Sequence, residues 1–396
     1  MIPVEFLLFG AVLIGIGLLH RRALLIASAG AALIAVYRML FVPFPAGAGL
    51  AGFAGHLQHE WVVLANLLLL LLGFALLARQ FEDSGIPRVL PRWLPDNWLG
   101  ALALLGVIFL LSGFLDNIAA AMIGGAIAHT VFRGKVHIAY VVGIVAAANA
   151  GGAGSVVGDT TTTMMWIAGV SPSEVAVAYI PAAVALGLFG LRASVVQQRY
   201  SPIQKNAAAG AGIDWARAGV VAATLAAAIV VNIAVNTRFH EAADRFPFLG
   251  ATVAIGLLVT APIRRPQWSL LGPALNGAIF LLSLVLCASM MPVESLPPAS
   301  WQSTLGLGFL SAVFDNIPLT ALALKQGGYD WGFLAYAVGF GGSMLWFGSS
   351  AGVALTSMYP EARSVRLWLR HGWYVIAAYF VGFVVLLGIR GFHPGS

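Results

Sequence analysis

Apolar residues run along this chain in blocks of roughly 17–25, the length of helix that crosses about 30 Å of hydrocarbon. The pattern predicts spans at 4–20, 23–42, 61–78, 138–170, 175–191, 218–236, 248–262, 269–291, 331–358 and 372–390, with two further apolar stretches at 98–131 and 301–325. Polar residues do not alternate with apolar ones inside the blocks. That excludes barrel strands and leaves helix as the structure that satisfies its own backbone in lipid. The first twenty residues carry neither a basic stretch nor a small-residue cleavage pattern, so 4–20 reads as a retained span rather than a signal peptide.

Composition agrees. The 396 residues are 60% hydrophobic and 9% charged, where a soluble domain carries about 25% charged residues. Mean hydropathy is +0.91. An ordinary soluble enzyme, a disordered chain and a nucleic-acid-binding module are excluded. The net charge of +6 has a topological explanation. With the N-terminus outside, sixteen of the 21 Lys and Arg residues fall in cytoplasmic loops, from Arg21 and Arg22 through Arg92 and Lys205 to Arg370. The other side holds Arg38, Arg238, Arg245, Lys325 and Arg390. This bias predicts a multi-pass protein of the inner (plasma) membrane with both termini away from the cytoplasm. Its partner is the lipid bilayer, not a nucleic acid. The single cysteine, Cys287, forms no internal disulfide and reads as a packing residue.

The chain repeats itself. Ser112-Gly-Phe-Leu-Asp-Asn-Ile118 resembles Ser311-Ala-Val-Phe-Asp-Asn-Ile317 at an offset of 199 residues, and Gly151, Gly152 and Gly158 match Gly341, Gly342 and Gly348 at an offset of 190. Each half holds five ordinary crossings, and an odd number turns the second copy upside down. Inverted repeats are a construction rule of secondary transporters, with the substrate site at the repeat interface. The expected organisation is a first repeat over 1–191, a cytoplasmic linker over 192–217, an inverted second repeat over 218–390 and a tail over 391–396.

Twelve of the fifteen acidic residues, Glu241 and Asp244 among them, fall in loops or at span ends; only Asp116, Asp159 and Asp315 lie inside apolar stretches. Each such acid costs about 2.5–3.5 kcal/mol at the centre of a membrane helix. Asp159 stands in a glycine- and hydroxyl-rich run, and 138–170 is longer than a straight crossing needs. A broken helix is expected there and, by its Gly and Ser content, over 331–358. The stretches 98–131 and 301–325 allow two short crossings or one re-entrant hairpin each. The apolar flanks of the Asp-Asn pairs favour the hairpin, since aqueous turns are richer in Gly, Pro, Ser and charge.

At these motifs the chain resembles the NhaD-type sodium/proton antiporters of the ion-transporter superfamily, whose relatives include citrate/dicarboxylate and arsenite carriers. The resemblance rests on Ala148-Asn-Ala-Gly-Gly-Ala-Gly-Ser-Val-Val-Gly-Asp-Thr-Thr-Thr-Thr-Met-Met-Trp166, on Ser311-Ala-Val-Phe-Asp-Asn-Ile-Pro318 and on the segment from Phe333 to Val353, and it runs from about 98 to the C-terminus. It implies an all-α fold of two inverted five-helix repeats, each with a re-entrant hairpin and a broken helix. It implies cation/proton exchange by alternating access, often from a homodimer, with Na+ or Li+ as cargo and no cofactor. Carried onto this chain, the hairpin tips are Asp116, Asn117, Asp315 and Asn316. The broken-helix residues are Asn149, Asp159, Thr160 and Thr161 in one half and Ser343, Ser349 and Ser350 in the other. Where the family pattern places threonines after the first Asp-Asn, this chain has Ala119, Ala120 and Ala121.

The chemistry fits such exchange. A desolvated carboxylate favours its protonated form, and a hard cation seeks the same oxygens, so sodium and protons compete for one site. The asparagines would offer carbonyl ligands, pin the hairpin tips or cap half-helices. An alternative keeps the architecture and changes the cargo to a di- or tricarboxylate or other oxyanion coupled to sodium or protons; unpaired carboxylates argue against it. An intramembrane enzyme is not expected. His56-Leu-Gln-His59-Glu60 has neither zinc-protease order and is placed in a Gly-rich outer loop. His129 and His137 read as interfacial residues at the cytoplasmic end of the first hairpin, with pH sensing the alternative.

Overall fold

A computed structural model describes residues 3–19, 22–89, 94–203, 212–238 and 245–395. Arg21, Arg92, Lys205, Glu241, Asp244 and the 204–211 part of the linker lie outside them. The fold is all-helical, 78% helix, and among the described residues the one β-bridge is an isolated one between Phe44 and Gly47.

The helices are α1 (Val4–Leu18), α2 (Ala23–Phe41), α3 (Gly49–Asp83), α4 (Trp98–Ser112), α5 (Asn117–Val131), α6 (Ile138–Ala153), α7 (Thr160–Ile167) and α8 (Tyr179–Tyr200). After these come α9 (Trp215–Arg238), α10 (Phe248–Thr260), α11 (Leu271–Ser289), α12 (Trp301–Ser311), α13 (Asn316–Gln326), α14 (Trp331–Gly341), α15 (Ser350–Met358) and α16 (Val365–Arg390). By length and apolar composition, the segments 23–41, 49–83, 172–200, 268–289 and 365–390 can each cross a membrane, so this is a multi-pass membrane protein.

Packing follows a pattern that recurs along the chain. α4 packs on α6 as α12 packs on α14; α5 packs on α15 as α13 packs on α7; α2 packs on α11 as α10 packs on α3. α6 meets α14, and α8 meets α16. The first arms α6 and α14 are buried almost throughout, which explains why their sequences show no polar face.

Glycine decides how closely the arms approach. A Cβ on Gly151 would stand 2.0 Å from the Phe109 carbonyl oxygen, and one on Gly341 would stand 2.2 Å from that of Gly308. Gly158 and Gly348 abut the carbonyls of Ser112 and Ala312 in the same way. Gly151 and Gly341 are therefore backbone-to-backbone contacts of α4 with α6 and of α12 with α14, while Gly158 and Gly348 bring the breaks that follow α6 and α14 against the ends of α4 and α12.

Two expected boundaries are corrected. The span placed at 61–78 is a helix over Gly49–Asp83, so His56, His59 and Glu60 are helical rather than in an outer loop. Gly52 and Gly55 turn toward Gly47 and Ala46 with no room for a Cβ, and this close packing overrides their poor helix propensity. His56 is buried, bonded to Ser289 Oγ at 3.0 Å and set against the Phe44 ring. The linker expected from 192 begins later, because α8 continues to Tyr200 with Ala193, Ser194 and Gln197 buried. Gln197 accepts from the His137 N–H and donates to the Lys135 carbonyl, fastening the end of α8 to the start of α6.

Candidate functional site

Four short helices begin around one point. Asp116 caps α5, accepting at Oδ1 from Ile118 N (3.5 Å). Asp315 caps α13, accepting at Oδ1 from Ile317 N (3.1 Å). Asp159 caps α7 through Thr161 N at Oδ1 (3.2 Å), and Ser349 caps α15 through Gly352 N (3.3 Å). The partial positive charge of a helix N-terminus favours a carboxylate, and this is how three acids persist here without basic partners. None of the ion pairs among the described residues includes Asp116, Asp159 or Asp315. The capping role that sequence alone offered to the asparagines belongs to these aspartates.

The asparagines instead join the helix ends. Asn316 Nδ2 donates to both oxygens of Asp159, at 3.5 and 3.3 Å. Asn117 Nδ2 donates to Asn149 Oδ1 at 3.2 Å. Asn149 Nδ2 in turn donates to Ser343 Oγ (3.0 Å) and Ser349 Oγ (2.9 Å). Asn149, Ser343, Ser349 and Thr161 are fully or almost fully buried, and Asp159 is 3% exposed. Ser350 Oγ donates to Asp315 Oδ2 at 3.1 Å. Thr160 lies beside Asp116 and Asp159 at a cavity of about 50 Å³ closed by α3. Asp315 and Ser350 border a larger one of about 250 Å³ against α1 and α11. All eleven residues singled out in the sequence thus stand in or beside one polar cluster inside an apolar bundle.

Sequence reasoning missed the hydroxyls that hold the helix ends in place. Ser112 Oγ donates to Ala148 O (2.5 Å), and its counterpart Ser311 Oγ donates to Val338 O (2.7 Å). Thr162 and Thr163 donate to the carbonyls of Ser155 and Val156, which the gap between α6 and α7 leaves without helical partners. The signal was available, because Ser112 and Ser311 open the two matched motifs. Lys325, read as ending a hairpin arm, is in the last turn of α13 and donates to the Ser289 carbonyl (2.7 Å) and the Met291 carbonyl.

The cluster therefore offers carboxylate, amide and hydroxyl oxygens, the donors that hard cations prefer. Among the described residues no group of three His, Cys, Asp or Glu side chains converges on a metal-ion position. Comparison with known proteins finds sodium/proton antiporters. An Na(+)/H(+) antiporter NhaD of Alkalimonas amylolytica is 25% identical, covering 84% of this chain and 78% of its own length. The chain is a relative of the NhaD-type sodium/proton antiporters. A second NhaD, from Vibrio parahaemolyticus, is 25% identical over 76% of this chain and 84% of its own. Sodium/proton antiporter 1 of Arabidopsis thaliana is 26% identical over 72% of the chain, which spans about half, 55%, of that plant protein. These NhaD-type relatives are named as transporters, not enzymes. No protein-family model matches the chain.

Proposed function

We propose that this protein exchanges Na+ (or Li+) for H+ by alternating access, with Asp159 and Asp315 as the carboxylates that cation and proton share. The observation that carries the reading is the contact of Asn316 with Asp159. It joins the start of α13 to the start of α7 at a buried acid that has no cationic partner among the described residues. A proton or a small cation supplies the missing positive charge, and only one can occupy a given oxygen at a time. Asp116, Asn117, Asn149, Thr160, Thr161, Ser343, Ser349 and Ser350 complete the oxygen-rich surroundings.

The same reading takes residues 1–191 and 218–390 as inverted repeats, with both termini on the non-cytoplasmic side. Supporting it, the packing pairs of the first half have counterparts in the second, and the matched glycines make matched contacts. Helices α4 and α12 have 15 and 11 residues, about 22 and 16 Å at 1.5 Å per residue. Both fall short of the ~30 Å hydrocarbon layer, as arms of re-entrant hairpins do. The breaks between α6 and α7 and between α14 and α15 lie where the hairpin tips meet them.

The test is sodium-dependent proton movement in membrane vesicles. Asp159→Asn and Asp315→Asn each keep the side chain's size and remove its charge, and each is expected to abolish the movement while the protein is still made and inserted. Retained exchange in both variants would overturn the mechanism. Uptake of radiolabelled citrate or succinate, absent on this reading, would favour an anion carrier.

A further inference from the structure

A third cavity, of about 270 Å³ and mostly apolar in its walls, has none of the three aspartates in its lining. Its lining includes His59, Glu60, Met164, Ser289, Ala321 and Lys325, drawn from α3, α7, α11 and α13. Lys325 in its wall and Arg38 beyond it are both held by main-chain carbonyls. Lys325 is bonded to the carbonyls of Ser289 and Met291, and Arg38 donates to the Met290 carbonyl (2.6 Å) and the Pro43 carbonyl (3.0 Å). Both cations thus sit on the C-terminal end of α11, whose negative dipole offsets part of their charge, and Lys325 remains the cationic neighbour of Glu60 in the same wall. Glu60 is half-buried and takes part in no ion pair among the described residues. It is the acid left facing the cavity.

The inner wall of this cavity is the packed pair α7 and α13. Met164 is five residues beyond Asp159, and Ala321 is five beyond Asn316. Along each helix that is about 8 Å. Met164 and Ala321 are apolar and buried, so a thin hydrophobic barrier separates the cavity from the Asp159–Asn316 contact. The end of α13 that bears Lys325 is on the side that the distribution of basic residues assigns away from the cytoplasm.

We infer that this cavity is the external vestibule of the transport site and that Glu60 is its cation-recruiting residue, setting the apparent affinity for small monovalent cations on the external face alone. The inference rests on the antiport reading. In this wall Glu60 offsets the Lys325 ammonium, which would otherwise repel an entering cation, and a change of field in a low-dielectric cleft alters the local concentration of cations by about tenfold or more.

The experiment compares right-side-out with inverted vesicles, which present opposite faces, and measures the half-saturating Na+ concentration for proton movement on each. Glu60→Gln is expected to raise that concentration on the external face, on the order of tenfold, without moving the cytoplasmic value; Glu60→Asp restores it. Glu60→Cys adds a second arm. Cys287 is buried, so a membrane-impermeant thiol reagent has position 60 to itself. An anionic sulfonate reagent lowers the raised value and a cationic ammonium reagent raises it further. No shift, an equal shift on both faces, or indifference to reagent charge would overturn the vestibule. Wild-type exchange with an unmoved Glu60→Gln sinks this inference alone, whereas absence of sodium-driven proton movement in the wild type removes the antiport reading and the vestibule with it.

Discussion

Gly151→Ala tests the architecture at one methyl group. The added Cβ would stand 2.0 Å from the Phe109 carbonyl oxygen, where ordinary contact begins at 3.4 Å, so α4 and α6 must part by about 3.4 − 2.0 = 1.4 Å. The obstacle is backbone and cannot swing aside. Overpacking of this kind costs about 1–3 kcal/mol and occasionally more, against a gain of about 1 kcal/mol for Ala over Gly in a helix. The net effect is destabilising, and it falls on the seam that places Asn149, since Ser112 bonds the neighbouring Ala148 carbonyl. Gly341→Ala, 2.2 Å from the Gly308 carbonyl oxygen, should behave alike. Gly187→Ala is the control, because nothing lies within 4 Å of its Cβ position. Melting in detergent, followed by intrinsic fluorescence, should fall by several degrees for Gly151→Ala and Gly341→Ala and hold or rise for Gly187→Ala. Sodium-driven proton movement should fall with the first two. A Gly151→Ala protein that melts at or above the wild-type midpoint would refute the backbone contact.

Two further outcomes are expected. Asn149→Ala leaves Asn117, Ser343 and Ser349 short of a buried partner, at about 1–3 kcal/mol per orphaned group; a melting midpoint equal to wild type would contradict the network. His137 caps α6 by accepting from Ala139 N at Nδ1 (3.0 Å), and burial together with the nearby His371 holds its pKa below the ordinary value. A histidine with a lowered folded pKa contributes stability above its unfolded pKa of ~6.5 that is lost as pH falls through the folded value. The protein should therefore melt earlier at pH 5 than at pH 7.5, and His137→Asn, which still caps but does not titrate, should shrink that difference; an unchanged difference would clear His137 of the role.

Much of the site was legible because acids are so rare in apolar sequence that Asp116, Asp159 and Asp315 marked themselves, and because Ser112 to Ile118 and Ser311 to Ile317 repeat. What could not be read was who meets whom. Asn316 and Asp159 are 157 residues apart in sequence, and only the packing of α13 on α7 joins them. The run from Gly49 to Glu60 looked like a loop because its glycines suit one. It is helical because those glycines admit a neighbouring backbone, a tertiary fact that propensity does not carry. The end of α8 was misjudged for the converse reason: its arginines suggested a solvated linker, while Ala193, Ser194 and Gln197 between them face the protein.

Each aspartate at the helix ends has one oxygen tied to its own helix. Oδ1 of Asp116, Asp159 and Asp315 is tied to a main-chain amide of its own helix, and in Asp315 it is Oδ2 that the Ser350 hydroxyl reaches. A carboxyl group held in this way rotates less freely than one in open solvent. On the exchange proposed above, discrimination between sodium and hydrogen ions would then follow how far whole helix ends separate, and a swap of cargo would register as movement of main chain.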